Sequence, residues 1–210
     1  MLNSDKKVSH LIDIPLRNTW WSRPQEYGWA AQFAGPDYVV LDAGCGISHP
    51  LKWYLGKTCK ETWACDTDVR VIEKDSIIRE TFDDLGEQAY KVVANDQSLW
   101  DDVTRIQSPV NTLDEKMPLF DRIFCISMFE DLSEPTREAT LQAFSKHLKP
   151  DGLIVLTCDF PSVSLPHLFL SAKKAGLVPA GPVDVNIPKN ALESGPLKIF
   201  RCVLKHDTKK

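Results

Sequence analysis

The chain has 210 residues, 43% of them hydrophobic and 26% charged, with a formal net charge of −4 and a sequence pI of about 5.7. These values describe an ordinary folded domain and exclude a disordered, collagen-like or low-complexity chain. The acidic balance withholds the positive field that draws proteins onto phosphate backbones, so DNA is not an expected partner.

The opening residues carry Asp5, Lys6 and Lys7 with no long apolar run behind them. Neither a signal peptide nor a membrane span is expected, and the protein is expected in the cytoplasm. Lys209 and Lys210 read as a solvated tail. The first 35 residues also hold Trp20, Trp21, Tyr27, Trp29 and Phe33, an aromatic helix and loop that lies over the rest as lid or as cladding.

From Tyr38 onward, short β-rich runs alternate with helical segments, the pattern of parallel strands joined by crossover helices. Tyr38–Leu41, Glu61–Cys65, Tyr90–Ala94, Arg122–Ile126 and Leu153–Cys158 are the expected first five strands. Helices are expected over His49–Leu55, over Val69–Glu80 with Thr67 or Asp68 as cap, from Ser133 to Leu148, and from Ser164 to Gly176. Val178–Ile187 and Lys198–Leu204 are expected to close the chain as a β-hairpin. Six cysteines lie mostly inside the strand-like runs and never form a C-x-x-C pair, so they read as reduced core thiols, and no metal site is expected.

Val39-Val40-Leu41-Asp42-Ala43-Gly44-Cys45-Gly46-Ile47-Ser48 runs from an apolar strand into a glycine turn and a helix. Gly44 and Gly46 clear the backbone where a nucleoside approaches the carboxyl end of the strand. A dinucleotide site wants a third glycine where His49 stands, so a pyrophosphate is disfavoured. Asp42 suits a positively charged ligand, as S-adenosylmethionine is with its ammonium and sulfonium. Asp66 closes the second strand 22 residues after Gly44, the separation at which a carboxylate meets both ribose hydroxyls.

With these residues in place, the sequence resembles the class I S-adenosylmethionine-dependent methyltransferases. Asp42-Ala43-Gly44-Cys45-Gly46-Ile47-Ser48 is similar to the family's D/E-x-G-x-G-x-G, with Ser48 replacing the last glycine. Val92-Val93-Ala94-Asn95-Asp96-Gln97 resembles the third-strand motif, whose aspartate meets the adenine amino group. Phe120 to Leu132 resembles the fourth-strand motif and His147 to Leu156 the turn into the fifth strand. The resemblance covers residues 38 to 158. It implies an α/β, Rossmann-like sheet of order 3-2-1-4-5-7-6 with the last strand antiparallel. It also implies S-adenosyl-L-methionine as cofactor and S-adenosyl-L-homocysteine as product. The cofactor contacts it implies are Asp42, Ala43, Gly44, Gly46, Asp66, Thr67, Asp96, Gln97 and Ser127. On this reading residues 1–210 form one methyltransferase domain, with a cap at 1–37, the cofactor-binding core at 38–160, and the last helix and hairpin at 161–210.

The sulfonium supplies the reactivity, so the protein chiefly aligns the acceptor, and no fixed catalytic signature is expected. Glu130, after the fourth strand, and His167, after the fifth, are the candidates for a general base. Glu130 and Asp131 equally read as complements to the next helix's dipole, and His167 as a first-turn residue. His49 stands where it could touch the cofactor. Trp20, Trp21 and Trp29 are candidate acceptor-pocket or lid residues, Arg23 a partner for a carboxylate or phosphate on the substrate, and the Phe160 to Pro166 loop the opposite wall. No N-P-P-Y-type element follows the fourth strand, so a small-molecule acceptor is expected. A cofactor-binding protein without catalysis, and methylation of protein or RNA, are the alternatives.

Overall fold

A computed structural model describes residues 1–3 and 7–208. Asp5, Lys6, Lys209 and Lys210 lie outside the described residues. The N-terminal aromatic segment folds as helix α1 (Arg23–Ala30), with Pro24 in its first turn, where a missing N–H costs little. Strand β1 (Val39–Ala43) follows, then α2 (Leu51–Thr58) and β2 (Glu61–Asp66). Three helices come next, α3 (Lys74–Leu85), α4 (Glu87–Asn95) and α5 (Gln97–Asp101). The chain continues through β3 (Val103–Gln107), β4 (Phe120–Ile126), α6 (Glu134–His147) and β5 (Leu148–Phe160). It ends with α7 (Leu165–Lys174), β6 (Leu177–Pro179) and β7 (Leu197–His206).

The strands form one sheet in the order β3-β2-β1-β4-β5-β7-β6, the expected arrangement. β1 to β5 pair in parallel, and β7 runs antiparallel to both β5 and β6. Side chains alternate across the sheet and both faces are covered, as parallel sheets require. Ile123 and Cys125 of β4 join Leu141, Phe144, Leu168 and Phe200 on one side. Phe124 and Ile126 join Tyr27, Trp29, Leu51 and Leu55 on the other. This parallel order brings the carboxyl ends of β1, β2 and β4 to one edge, where α1 packs against β4.

The third strand is a correction. Tyr90–Ala94 is helical, inside α4, and the strand lies at Val103–Gln107. Ala89 and Val93 are both fully buried one helical turn apart, so the β-branched pair Val92-Val93 serves a helix face, not a pleat. The true strand, Val-Thr-Arg-Ile-Gln, is an edge strand that needs few apolar residues and therefore carries almost no sequence signal.

Smaller differences have similar causes. The helix expected over Val69–Glu80 is a short 3₁₀ turn at Val69–Ile72, N-capped by Asp68, followed by α3. The strand expected over Val178–Ile187 stops at Pro179, so the closing pair is β6 with β7, and residues 180–192 form a loop. No helix among the described residues is long and apolar enough to cross a membrane.

Phe144 is fully buried between α6 and the sheet. Phe144→Ala should destabilise the fold by about 3–5 kcal/mol, the cost of an aromatic-sized core cavity. Urea unfolding checks this, and a loss below about 1 kcal/mol would mean that α6 is not packed as described.

Candidate functional site

β1 delivers Asp42 to its carboxyl end, and the chain then turns through Gly44 and Gly46, both with positive φ (69° and 59°). A Cβ on Gly44 would lie 2.4 Å from Met128 Cγ, and one on Gly46 would lie 2.6 Å from His49 Cδ2, so side chains are excluded sterically as well as conformationally. The turn is tied to β2 by the N–H groups of Gly44 and Cys45, which both donate to the Cys65 carbonyl at 2.9 and 3.0 Å. Asp66 adds a third tie, its Oδ2 accepting the Gly46 N–H at 2.9 Å while Oδ1 accepts the Asp68 N–H at 3.1 Å. Ser48, where the resembled motif has glycine, donates to Asp84 Oδ2 at 2.6 Å and so fastens the turn to α3.

Beneath the turn sits Lys52, fully buried on α2, which the sequence reading passed over. Its ammonium donates to the carbonyls of His49 at 2.7 Å, Gly46 at 2.9 Å and Cys45 at 3.4 Å. A buried cation without such partners would be prohibitive. The signal available was a lysine between Leu51 and Trp53, inside a helix stripe otherwise apolar.

These elements floor a cleft of about 450 Å³ that also takes in Arg23, Tyr27, Thr67, Val110, Ser127 and Asp131. Asp42 faces it with Oδ2 buried and without a hydrogen-bond partner. Burial pushes the Asp42 carboxyl up to about 7, with the Lys52 ammonium opposing the rise and Asp66 adding to it. An orphaned carboxylate above a glycine cradle fits a ligand with a positive charge and a bare nucleoside edge.

α1 closes the acceptor side through Glu26, also missed from sequence and fully buried. Glu26 Oε1 accepts from Ser127 Oγ at 2.7 Å and from Thr157 Oγ1 at 2.5 Å, which joins α1 to the ends of β4 and β5. Its Oε2 accepts from Arg23 at 2.9 Å, and Arg23 also donates to the Ser127 carbonyl at 3.2 Å. Ser127 itself holds a positive φ of 44°. The i, i+3 spacing of Arg23 and Glu26 in an aromatic helix was the available signal, since charges on a buried helix need partners.

Tyr27 Oη lies 2.6 Å from His49 Nδ1, and the His49 ring stacks on Trp20 at 4.8 Å. Burial, with Arg23 and Lys52 beside it, pulls His49 down to about 3, so the ring is neutral. Burial also pushes the Tyr27 phenol well up, so it keeps its proton.

The sequence-based candidates separate clearly in space. Asp42, Gly44, Gly46, Asp66, Thr67, Ser127 and Arg23 meet in the cleft, and His49 lines it. The side chain of Ala43 is in the core. Asp96 and Gln97 are a correction: they stand before β3, where Asp96 caps α5 through the Ser98 N–H and lies 3.9 Å from Lys57. With the third strand moved, Val110, beyond the end of β3, is what reaches the cleft.

His167 is a second correction. It lies in the first turn of α7 with its side chain 43% exposed, paired with Glu134 at 3.0 Å, outside the cleft. Trp21 packs in the core beside α1, Trp20 reaches the cleft only through His49, and Trp29 faces away from it toward Phe33 and Arg201. Phe160 is a core contact, not the opposite wall. Glu130 lies in the 3₁₀ turn after β4, outside the lining of the cleft, with its Oε2 buried and without a hydrogen-bond partner.

A family model described as a methyltransferase domain matches residues 41–154, more than half of the chain. The chain belongs to this family. Its cofactor is S-adenosylmethionine, and S-adenosylhomocysteine is the product of the reaction. No curated protein sequence gives a significant match. Among solved structures, the chain is similar to a TehB-like S-adenosylmethionine-dependent methyltransferase from Corynebacterium glutamicum, with TM-score 0.62, 16% identity and coverage of 87% of both chains. It is similar to the N-methyltransferase NodS from Bradyrhizobium japonicum in complex with S-adenosylhomocysteine, with TM-score 0.62, 14% identity and coverage of 92% of both chains. A third is the Burkholderia thailandensis 1,6-didemethyltoxoflavin-N1-methyltransferase, with TM-score 0.59, 18% identity, and coverage of 90% of this chain and 82% of that one. At these identities the likeness is one of fold.

Lys52→Met keeps the aliphatic stem but leaves the His49 and Gly46 carbonyls without their donor. It should cost about 3 kcal/mol of stability and weaken S-adenosylhomocysteine binding at least about tenfold, measured by urea unfolding and calorimetry. Unchanged affinity would show that the turn holds its shape without the lysine.

Proposed function

We propose that this methyltransferase acts in the cytoplasm on a small molecule and methylates it at a nitrogen. When bound, the cofactor supplies an electrophilic methyl carbon on a sulfonium. Asp66 would hold the ribose, because its Oδ2 has accepted only the Gly46 N–H and keeps a lone pair, while Oδ1 has only a long 3.5 Å contact from the Thr67 hydroxyl beside the Asp68 N–H. Arg23, held by Glu26 and Ser127, would meet the cofactor's carboxylate. Asp42 would face its positive charge, and the end of β3 near Val110 would line the adenine in place of Asp96.

The reading of the acceptor rests on one observation, the charge around the ends of β4 and β5. Glu130, Asp131 and Asp159 gather there, while the nearby cations are committed, Arg23 to Glu26 and Arg137 to the backbone carbonyls of Phe129 and Glu130. Such a field disfavours a carboxylate or phosphate on the acceptor and favours an ammonium or amine. Burial pushes Glu130 up to about 7, with Asp159 and Glu26 adding to the rise, and its Oε2 has no hydrogen-bond partner. A carboxylate so tuned takes the proton that an ammonium must lose before its lone pair can attack. Glu130 sits beside the cleft, outside its lining, so the acceptor must reach past Asp131 and Leu132 for Glu130 to take its proton.

The two N-methyltransferases of like fold support a nitrogen acceptor by analogy only. Six free thiols, five of them buried, accord with a reducing compartment.

A panel of small amines, carboxylic acids and phenols, assayed with methyl-labelled S-adenosylmethionine, tests the proposal. Label should pass to amines, and the rate should rise with pH through about 7, since Glu130 accepts a proton only once ionised. Glu130→Gln should lower the rate about a hundredfold and flatten that rise, with S-adenosylhomocysteine affinity unchanged. Transfer to acids or phenols alone, or to no small molecule, would contradict it.

A further inference from the structure

On the far side of α1 from the cofactor cleft lies a second cavity, of about 340 Å³, between Trp29, the strand β7 and the loop at residues 181–188. Arg201 projects into it from β7, with its guanidinium over the Trp29 ring at 5.5 Å from the centroid. β7 pairs Arg201 with Thr157, so the arginine stands on the same sheet face as α1. Among the described residues no carboxylate forms an ion pair with Arg201, and no acceptor takes its N–H groups. Burial alone pulls its pKa down, without any offsetting anion.

This is unusual in a chain that pairs its other part-buried cations. Arg23 has Glu26, Lys149 has Asp121 and Lys52 has three carbonyls. A half-buried guanidinium with one face on an indole presents its N–H fork edge-on, the geometry that receives a carboxylate bidentately. The rest of the wall mixes the apolar Pro182, Val183, Pro188 and Val203 with polar groups, Asn186 at the mouth and the Met1 ammonium, which feels the charge of Arg201 and donates to the Asp184 carbonyl. Asp184 lies on the same loop, its carboxylate turned to the Asn186 N–H at 2.9 Å. The volume is within the range of small-molecule sites.

We propose that this cavity is a second ligand site, one that takes a small organic carboxylate with an apolar body, its carboxylate on Arg201 and its body along Trp29 and the 181–188 loop. The site is independent of the methyl acceptor, because α1 separates the two cavities. Its occupant would rest against the same helix that closes the cofactor cleft.

Calorimetric titration of the whole protein with benzoate, and separately with inorganic phosphate, tests it. Benzoate should bind with a millimolar or tighter Kd and phosphate at least about tenfold more weakly. Arg201→Gln should weaken benzoate about tenfold or more and leave S-adenosylhomocysteine affinity unchanged. Asn186→Asp changes only an exposed loop residue, so it keeps the test open should the arginine variant misfold. It should weaken benzoate about threefold by like-charge repulsion. The proposal is overturned if benzoate fails to bind at about 10 mM, if phosphate binds as well, or if neither substitution alters benzoate affinity.

Discussion

An ammonium taken fully out of water must find acceptors, and Lys52 finds three of them in consecutive parts of one turn. That constraint reaches further than α2. The carbonyls of Cys45, Gly46 and His49 can all face the lysine only if the chain doubles back through Gly44 and Gly46 with positive φ. With the carbonyls turned inward, the N–H groups turn toward β2, where Cys65 and Asp66 receive them. The result is a rigid cradle whose open side carries the Asp42 carboxylate. A cofactor bearing two positive charges meets a site whose shape is set before binding, which limits the ordering cost of binding.

The second constraint is the Glu26 carboxylate, which links three segments distant in sequence. Ser127 follows β4, Thr157 lies within β5, and Arg23 begins α1. All three donate to one buried group, so α1 cannot leave the sheet without stranding a charge, a loss of several kcal/mol. The helix is therefore a fixed wall of the cleft, and it positions Tyr27 against His49. The remaining acids, Glu130, Asp131 and Asp159, then form no ion pair among the described residues, since the nearby Arg137 spends its guanidinium on the Phe129 and Glu130 carbonyls. Arg201 presents the inverse situation behind the same helix, a cation that pairs with no acid among the described residues.

How much of this was legible from the sequence depends on where each residue sits. The first strand, its glycine turn and Asp66 carry strong local requirements, because a backbone that a ligand must approach tolerates few side chains. The alternation of elements implies parallel strands with crossover helices, and the order of the sheet comes from the family resemblance. β3 was misplaced because an edge strand carries few apolar residues, while Val92 and Val93 in α4 mimic a strand; Asp96 and Gln97 were carried with it to the wrong end of the sheet. The chain position of His167, after β5, says nothing about the direction of its side chain, which turns to Glu134 outside the cleft. Lys52 and Glu26 were overlooked for one reason: their meaning lies in partners far along the chain or in backbone carbonyls, which no local pattern records.

The central claim is that the turn at Gly44–Gly46, with Asp66 and Arg23, holds the cofactor against α1. A crystal structure of the complex with S-adenosylhomocysteine tests it most directly. The ribose hydroxyls should lie within hydrogen-bond distance, about 3 Å, of the Asp66 carboxylate, the amino-acid carboxylate should meet Arg23, and Glu26 should keep its three donors. A cofactor bound near Asp96 and α5, or one that displaces α1 and breaks the Glu26 network, would contradict the account.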